Sequence, residues 1–212
     1  MKLHRLAALA WFAAAPVLAA PVGFNLTFEK TWDYFTDVAG YYNGGTAGDG
    51  TSGPNAGVSF SNVYAISNDA LGPYFANAPS PLGVVTPFVF LDGERAFMNV
   101  ADSVGAALTF FYSSPTAIVG AIRAYSGVNG TGTLLGTIDL AANSSTDYDV
   151  WSQVTFAFNG FASSFEFTNA SSIAAFDNIS AVAVPEPETM VLLAMGGAAA
   201  LCLRGRRRTG LA

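Results

Sequence analysis

Between residues 22 and 184 the apolar positions alternate over short spans, and turn residues interrupt them every ten or so positions, which is the pattern of strands and not of helices. The stretch 23–29 puts Phe24, Leu26 and Phe28 on one face and Asn25, Thr27 and Glu29 on the other. Further strands are predicted over 58–60, 104–112, 117–125, 133–140 and 150–158, the last with Val150, Val154, Phe156 and Phe158 facing inward. A short strand around Phe165 and Phe167 and a final one over 173–184 complete the set. Between them lie a glycine-rich loop at 41–57, a proline-bearing loop at 71–81, and turns at 113–116 and 126–132. No repeat and no long linker divides this region. The pattern predicts one all-β domain, a single antiparallel β-sandwich of the jelly-roll kind, over residues 20–184.

The two ends follow another pattern. Met1-Lys2-Leu3-His4-Arg5 precedes an apolar run over 6–18, a charged start and hydrophobic stretch that predict a signal peptide over 1–19, cut after Ala19. Pro21 disfavours cleavage one residue later. At the other end, Pro185 and Pro187 make Pro185-Glu186-Pro187 a stiff extended break that neither strand nor helix continues. An uncharged run from 190 to 203 follows, then Arg204, Arg206, Arg207 and Arg208, which by the positive-inside rule hold that end in the cytoplasm. The run predicts one short transmembrane helix. Its fourteen residues give roughly 21 Å of helix against a hydrocarbon core of about 30 Å. A short helix rich in alanine and glycine suits transient holding better than permanent anchoring.

Break, helix and arginine cluster over 185–208 resemble the PEP-CTERM sorting signal of Gram-negative bacteria. The resemblance implies an exosortase as partner, passage through the inner membrane with transient anchoring there, and delivery to the cell surface or extracellular matrix. It also implies an association with exopolysaccharide and with biofilm or floc formation.

Charge sharpens this picture. From the leader to Glu188 only Lys30, Arg95 and Arg123 are basic, against fifteen acids, a net charge of −12. Such a surface excludes nucleic acid as a partner and suits divalent cations or plain solubility. The chain's one histidine, His4, is in the leader, and its one cysteine, Cys202, is in the apolar tail. The domain between them therefore holds no Ser-His-Asp triad, no Cys-His pair, no His/Cys zinc site and no disulfide. These absences predict a protein that is not an enzyme; a carboxylate-pair glycosidase stays formally open.

Tyr42-Asn43-Gly44-Gly45, the run 53–60, the run 125–133 and Phe176-Asp177-Asn178-Ile179 resemble small exported proteins bearing this sorting signal and, more loosely, jelly-roll carbohydrate-binding modules. In such modules a structural calcium joins a carboxylate near the first strand to one in the last. The resemblance thus implies Glu29 and Asp177 as metal ligands, with Asn43 or nearby loop carbonyls completing the shell. The residues themselves equally allow a solvated strand-end acid at Glu29 and a turn or cap at Asp177. Trp32, Tyr34, Tyr41, Tyr42, Tyr64, Tyr74, Tyr148 and Trp151 offer rings for sugar stacking or for the core. The leading expectation is a non-enzymatic, surface-sorted protein. The alternative is a jelly-roll carbohydrate-binding module retained at the surface.

Overall fold

The computed structural model describes residues 23–30, 32–66, 74–79, 88–90 and 95–181. Ala19, the sorting residues Pro185, Glu186 and Pro187, the apolar run and the arginines 204 and 206–208 lie outside them. Among the described residues every regular element is a strand or a 3₁₀ turn, and no helix is long and apolar enough to cross a membrane.

The strands are β1 (Phe24–Leu26), β2 (Thr36–Asp37), β3 (Val58–Ser61), β4 (Val63–Ala65), β5 (Phe88–Phe90), β6 (Phe97–Ser113), β7 (Ile118–Tyr125), β8 (Leu134–Leu140), β9 (Ser152–Glu166) and β10 (Ala175–Ala181). Every pairing between them is antiparallel. They form one hydrogen-bonded network in the order β2-β4-β5-β10-β6-β9-β7-β8, with β1 added to β10 and β3 to β6.

Two long strands carry this network. Near its start β6 pairs with β3 and with the end of β9; near its end it pairs with β10 and with the start of β9. The pairing slips between Asn99 and Val104 and again between Gly105 and Ala107. Ser103 (φ 42°), Ala106 (φ 69°) and Gly160 (φ 92°) take up the left-handed backbone that such bulges require. Only glycine adopts the last of these without strain. Both strands therefore bend, and each half enters a different neighbourhood. One buried cluster serves both halves: Leu108, Phe110, Phe156 and Phe158 on one side of the slip, Val100, Val104 and Ala162 on the other, with Leu26, Phe28 and Phe176 in the same core. Edge-to-face ring pairs such as Phe110–Phe176 at 5.6 Å and Phe158–Phe165 at 5.4 Å fill it.

Several boundaries differ from the sequence-based expectation. Strand β6 begins seven residues before the predicted 104, because Asp102-Ser103 reads as a break but is a bulge. Strand β9 continues to Glu166 through Asn159-Gly160, a pair that reads as a hairpin turn. Val150 is 48% exposed and precedes β9, so it does not belong to the inward set. Phe167 caps a 3₁₀ turn and is not in a strand. The strand predicted over 23–29 is regular only to Leu26, since Phe28 turns to φ 55°.

Candidate metal centre

β1 is held by β10 alone, in the register Phe24↔Ala181, Asn25↔Ser180 and Leu26↔Ile179. Beyond Leu26 the chain bends sharply. The Phe28 carbonyl accepts from the Lys30 backbone N–H (2.9 Å) and from the Trp32 indole N–H (3.0 Å), and Trp32 is fully buried. This bend brings Glu29 close enough for its charge to act on Asp177, which sits in the middle of β10 at a second irregularity. The β6–β10 pairing shifts between Asp177 and Ser180, and Asn178 takes φ 47°.

The result is two acids with little to neutralise them. Asp177 is 1% exposed, and its Oδ1 accepts from the Asn178 backbone N–H at 2.7 Å. Burial pushes its carboxyl up to about 8, helped by the negative charge of Glu29 and opposed by the Asn178 N–H. Both carboxylate oxygens of Glu29 are buried and accept no hydrogen bond, and the same is true of Asn178 Oδ1. Burial first, then the neighbouring Tyr41, hold the Tyr42 hydroxyl well above its ordinary range, and the charges of Asp177 and Glu29 add to this. The cation next in the chain is committed elsewhere. Lys30 Nζ donates to Asp49 Oδ2 (2.5 Å) and Thr51 Oγ1 (2.8 Å) and lies 4.3 Å from the Trp32 ring centre.

This donor set fits a hard divalent cation. It is all oxygen, it brings two carboxyl groups together, and both oxygens of Glu29 have nothing to accept. Among the described residues no group of three or more His, Cys, Asp or Glu side chains converges. The Tyr42 hydroxyl, whose titration both acids influence, and main-chain carbonyls are what remain to complete a shell. Asn43, expected to contribute, instead closes its own turn: it is exposed, and its Oδ1 accepts from the Gly45 N–H (3.2 Å).

The loop over 41–57 is a built structure despite its composition. Its backbone bridges Asn43 to Asn55 and Thr46 to Ser52. A side chain at Gly53 would run into the Tyr41 carbonyl and ring, so the loop closes only with glycine there. Lys30 fastens the loop to the segment after β1 through Asp49, whose carboxyl is held down at about 2, hydrogen bonds from Lys30 and Thr51 outweighing its burial.

A second buried acid escaped the sequence reading. Glu166, at the end of β9, is 5% exposed. Its Oε1 accepts from Arg95 Nε (3.2 Å) and Thr168 Oγ1 (3.0 Å), and its Oε2 from the Tyr125 hydroxyl (3.1 Å), with Arg123 Nη1 3.8 Å away. Burial pushes its carboxyl up, but the bonds from Arg95, Thr168 and Tyr125 outweigh this and hold it below its usual range. One signal was available in the sequence: only three basic residues stand in the whole domain, so each is worth tracing to an acid.

The candidate stacking rings do not gather into one platform. Trp32 and Tyr42 are core residues; Tyr41, Tyr64, Tyr148 and Trp151 are half-buried; only Tyr34 (56%) and Tyr74 (43%) stand clear. Tyr148 stacks on Phe75 at 5.0 Å, and the Trp151 indole N–H donates to the Ala76 carbonyl.

Fold and site together define an all-β, antiparallel, strongly acidic domain with an oxygen-lined site where its first strand meets its last. Beyond that domain, residues 183–208 match the family model of the PEP-CTERM protein-sorting motif, so the chain carries the signal of an exosortase-targeted, exported surface protein. No curated protein matches the chain. Among solved structures it is similar to a Family 29 Carbohydrate Binding Module from Piromyces equi, at 9% identity over 58% of this chain and 89% of that one. The TM-score of 0.31 is too low for that likeness to bear on fold or ligand.

Proposed function

We propose that this is a non-enzymatic exported protein which an exosortase processes and passes to the cell surface or extracellular matrix, where it works among exopolysaccharide in a biofilm or floc. The observation that carries the reading is the motif match at 183–208, with Pro185-Glu186-Pro187, the apolar run and the arginine cluster in order. β10 ends at Ala181, so the motif begins almost where the fold stops, and processing there leaves every described strand whole. The absence of histidine and cysteine between His4 and Cys202 favours a non-catalytic role. We read the bent network as a sandwich of jelly-roll type, since its first and last strands lie side by side and β6 and β9 each serve both halves.

Mass spectrometry of the mature protein from its native host tests the sorting. The expected C-terminus lies at or near residues 184–188, without the arginine cluster. An intact chain through Ala212 in the surface or matrix fraction makes the tail a permanent anchor and ends this reading. Replacing Pro185-Glu186-Pro187 by alanines should leave the tail-bearing form in the inner membrane.

A second reading concerns the domain itself, and the orphaned oxygens of Glu29 beside the buried Asp177 favour it: the domain takes a structural calcium ion at this pair. A carbohydrate-binding module, the rival role, has Tyr34, Tyr74 and Phe161 as its exposed large rings among the described residues, and glycan-array binding lost on changing one of them supports it.

A further inference from the structure

We infer that divalent-cation capture by Glu29 and Asp177 locks β1 onto β10, making the pairing of first and last strands a cation-controlled closure and not a fixed part of the fold. The inference rests on the second reading above and says what the cation does once bound.

Three observations support it. First, β1 is short and pairs with one neighbour, so its three residues in register and the burial of Phe24, Leu26 and Phe28 are what hold it. Strands with few partners open locally before the domain unfolds. Second, the two carboxylates belong to opposite sides of this one pairing: Glu29 travels with β1, and Asp177 is fixed in β10 between β6 and the β1–β5 edge. Without a cation the closed form holds both carboxyl groups out of water with only the Asn178 N–H donating to Asp177 and nothing donating to Glu29, and opening β1 returns Glu29 to water. With a cation the same two groups draw the strands together. Third, the groups that neutralise other buried acids here are engaged elsewhere: Lys30 with Asp49, and Arg95 and Arg123 with Glu166. A cation from outside is the remaining counter-charge among the described residues.

The pairing also has a place in time. Glu29 lies near the start of the domain and Asp177 near its end, so the site is complete only when almost the whole domain is available to fold. Ala181, at the open end of the β1–β10 pair, lies two residues before the start of the sorting motif. β10 is the last described strand before that signal, so this closure waits on the end of the domain.

Hydrogen exchange with mass spectrometry on the full chain in inner-membrane vesicles tests this, with calcium chloride and EDTA as the probes. In EDTA the amides of β1 should exchange faster than those of β6 and β9. Calcium at 100 times its dissociation constant should slow the β1 amides about 100-fold and narrow that gap. Asp177→Asn should keep the EDTA pattern and lose the calcium response. If β1 and β6 exchange at equal rates in EDTA while calcium slows both, the site fills but does not act as a closure, and the inference is overturned alone. If calcium changes nothing, the cation reading falls with it.

Discussion

Glu166 and the Glu29–Asp177 pair are all acids taken out of water, yet the protein surrounds them in opposite ways. Glu166 receives hydrogen bonds from Arg95, Thr168 and Tyr125, with Arg123 close by. Glu29 receives none, and Asp177 has a single backbone N–H. Glu166 is thus a finished staple that ties the end of β9 to β7 and to the segment before β6. The other region is unfinished without something from outside. In a domain with three basic residues, spending two on one acid is what leaves the other pair bare.

Removing the staple should have the largest effect. Glu166→Ala leaves two arginines and a tyrosine facing an empty site, and the stability measured by urea unfolding should fall by about 3 kcal/mol. That is the low end for a broken buried pair, because the Arg95 side chain is 60% exposed and can turn back to water. Next comes the opposite operation on the opposite region. Calcium at 100 times its dissociation constant should add about 2.7 kcal/mol to the wild-type chain, and EDTA should lower the melting temperature correspondingly. Asp177→Asn should abolish that gain while staying within about 1 kcal/mol of wild type in EDTA, since an amide oxygen still accepts from the Asn178 N–H and the buried position carries no charge. A melting curve indifferent to both calcium and EDTA removes the site.

The two regions should also give opposite pH slopes in EDTA. The Glu166 carboxyl is depressed, so its contribution is complete above its ordinary value of 4.5 and is lost as the pH falls below it. Asp177 is raised from 3.8 to about 8, so the folded state binds its proton more tightly than the unfolded chain does. Its region should weaken as the pH rises from about 4 to about 8. Calcium should cancel the second slope and leave the first, as urea midpoints measured across that range would register. The smallest effect is expected at the loop clasp. Asp49→Asn removes the partner of Lys30 and should lower stability by about 1 kcal/mol, with no change in calcium response. The wild-type clasp itself should fail only as the pH falls from 3.8 towards 2.

Much of the all-β reading was legible because alternation and turn residues agree. Strands β7 and β8 fall within a residue of their predicted limits, since Ser113 to Thr116 and Ser126 to Gly132 mark their ends without ambiguity. Legibility failed where a bulge imitates a turn. Asp102-Ser103 and Asn159-Gly160 have the residues of a break, and only the pairing of β6 with β9 across both shows that the strands run on. Strand β2, two residues long, has no period to detect. At the site, Glu29 and Asp177 were reached through likeness to other proteins and not through spacing, because first and last strands carry no shared signal along the chain. Glu166 was missed for the same reason: its arginines are far from it in sequence and adjacent only after β9 pairs with β7 and with the start of β6.

The register of β1 against β10 also has a mechanical consequence. Phe24 lies opposite Ala181, so the chain enters and leaves the fold at the same end of one antiparallel pair. A pull applied between a tethered C-terminal end and anything bound near the N-terminal end loads this pair as a zipper, one hydrogen bond at a time. Such a geometry yields at low force. The strands would part at Phe24, then at Asn25 and Leu26, and the tear would reach Glu29 and Asp177 last. An ion bridging those two carboxylates would be the stop at the bottom of the zipper, setting how far the domain peels before its core is exposed.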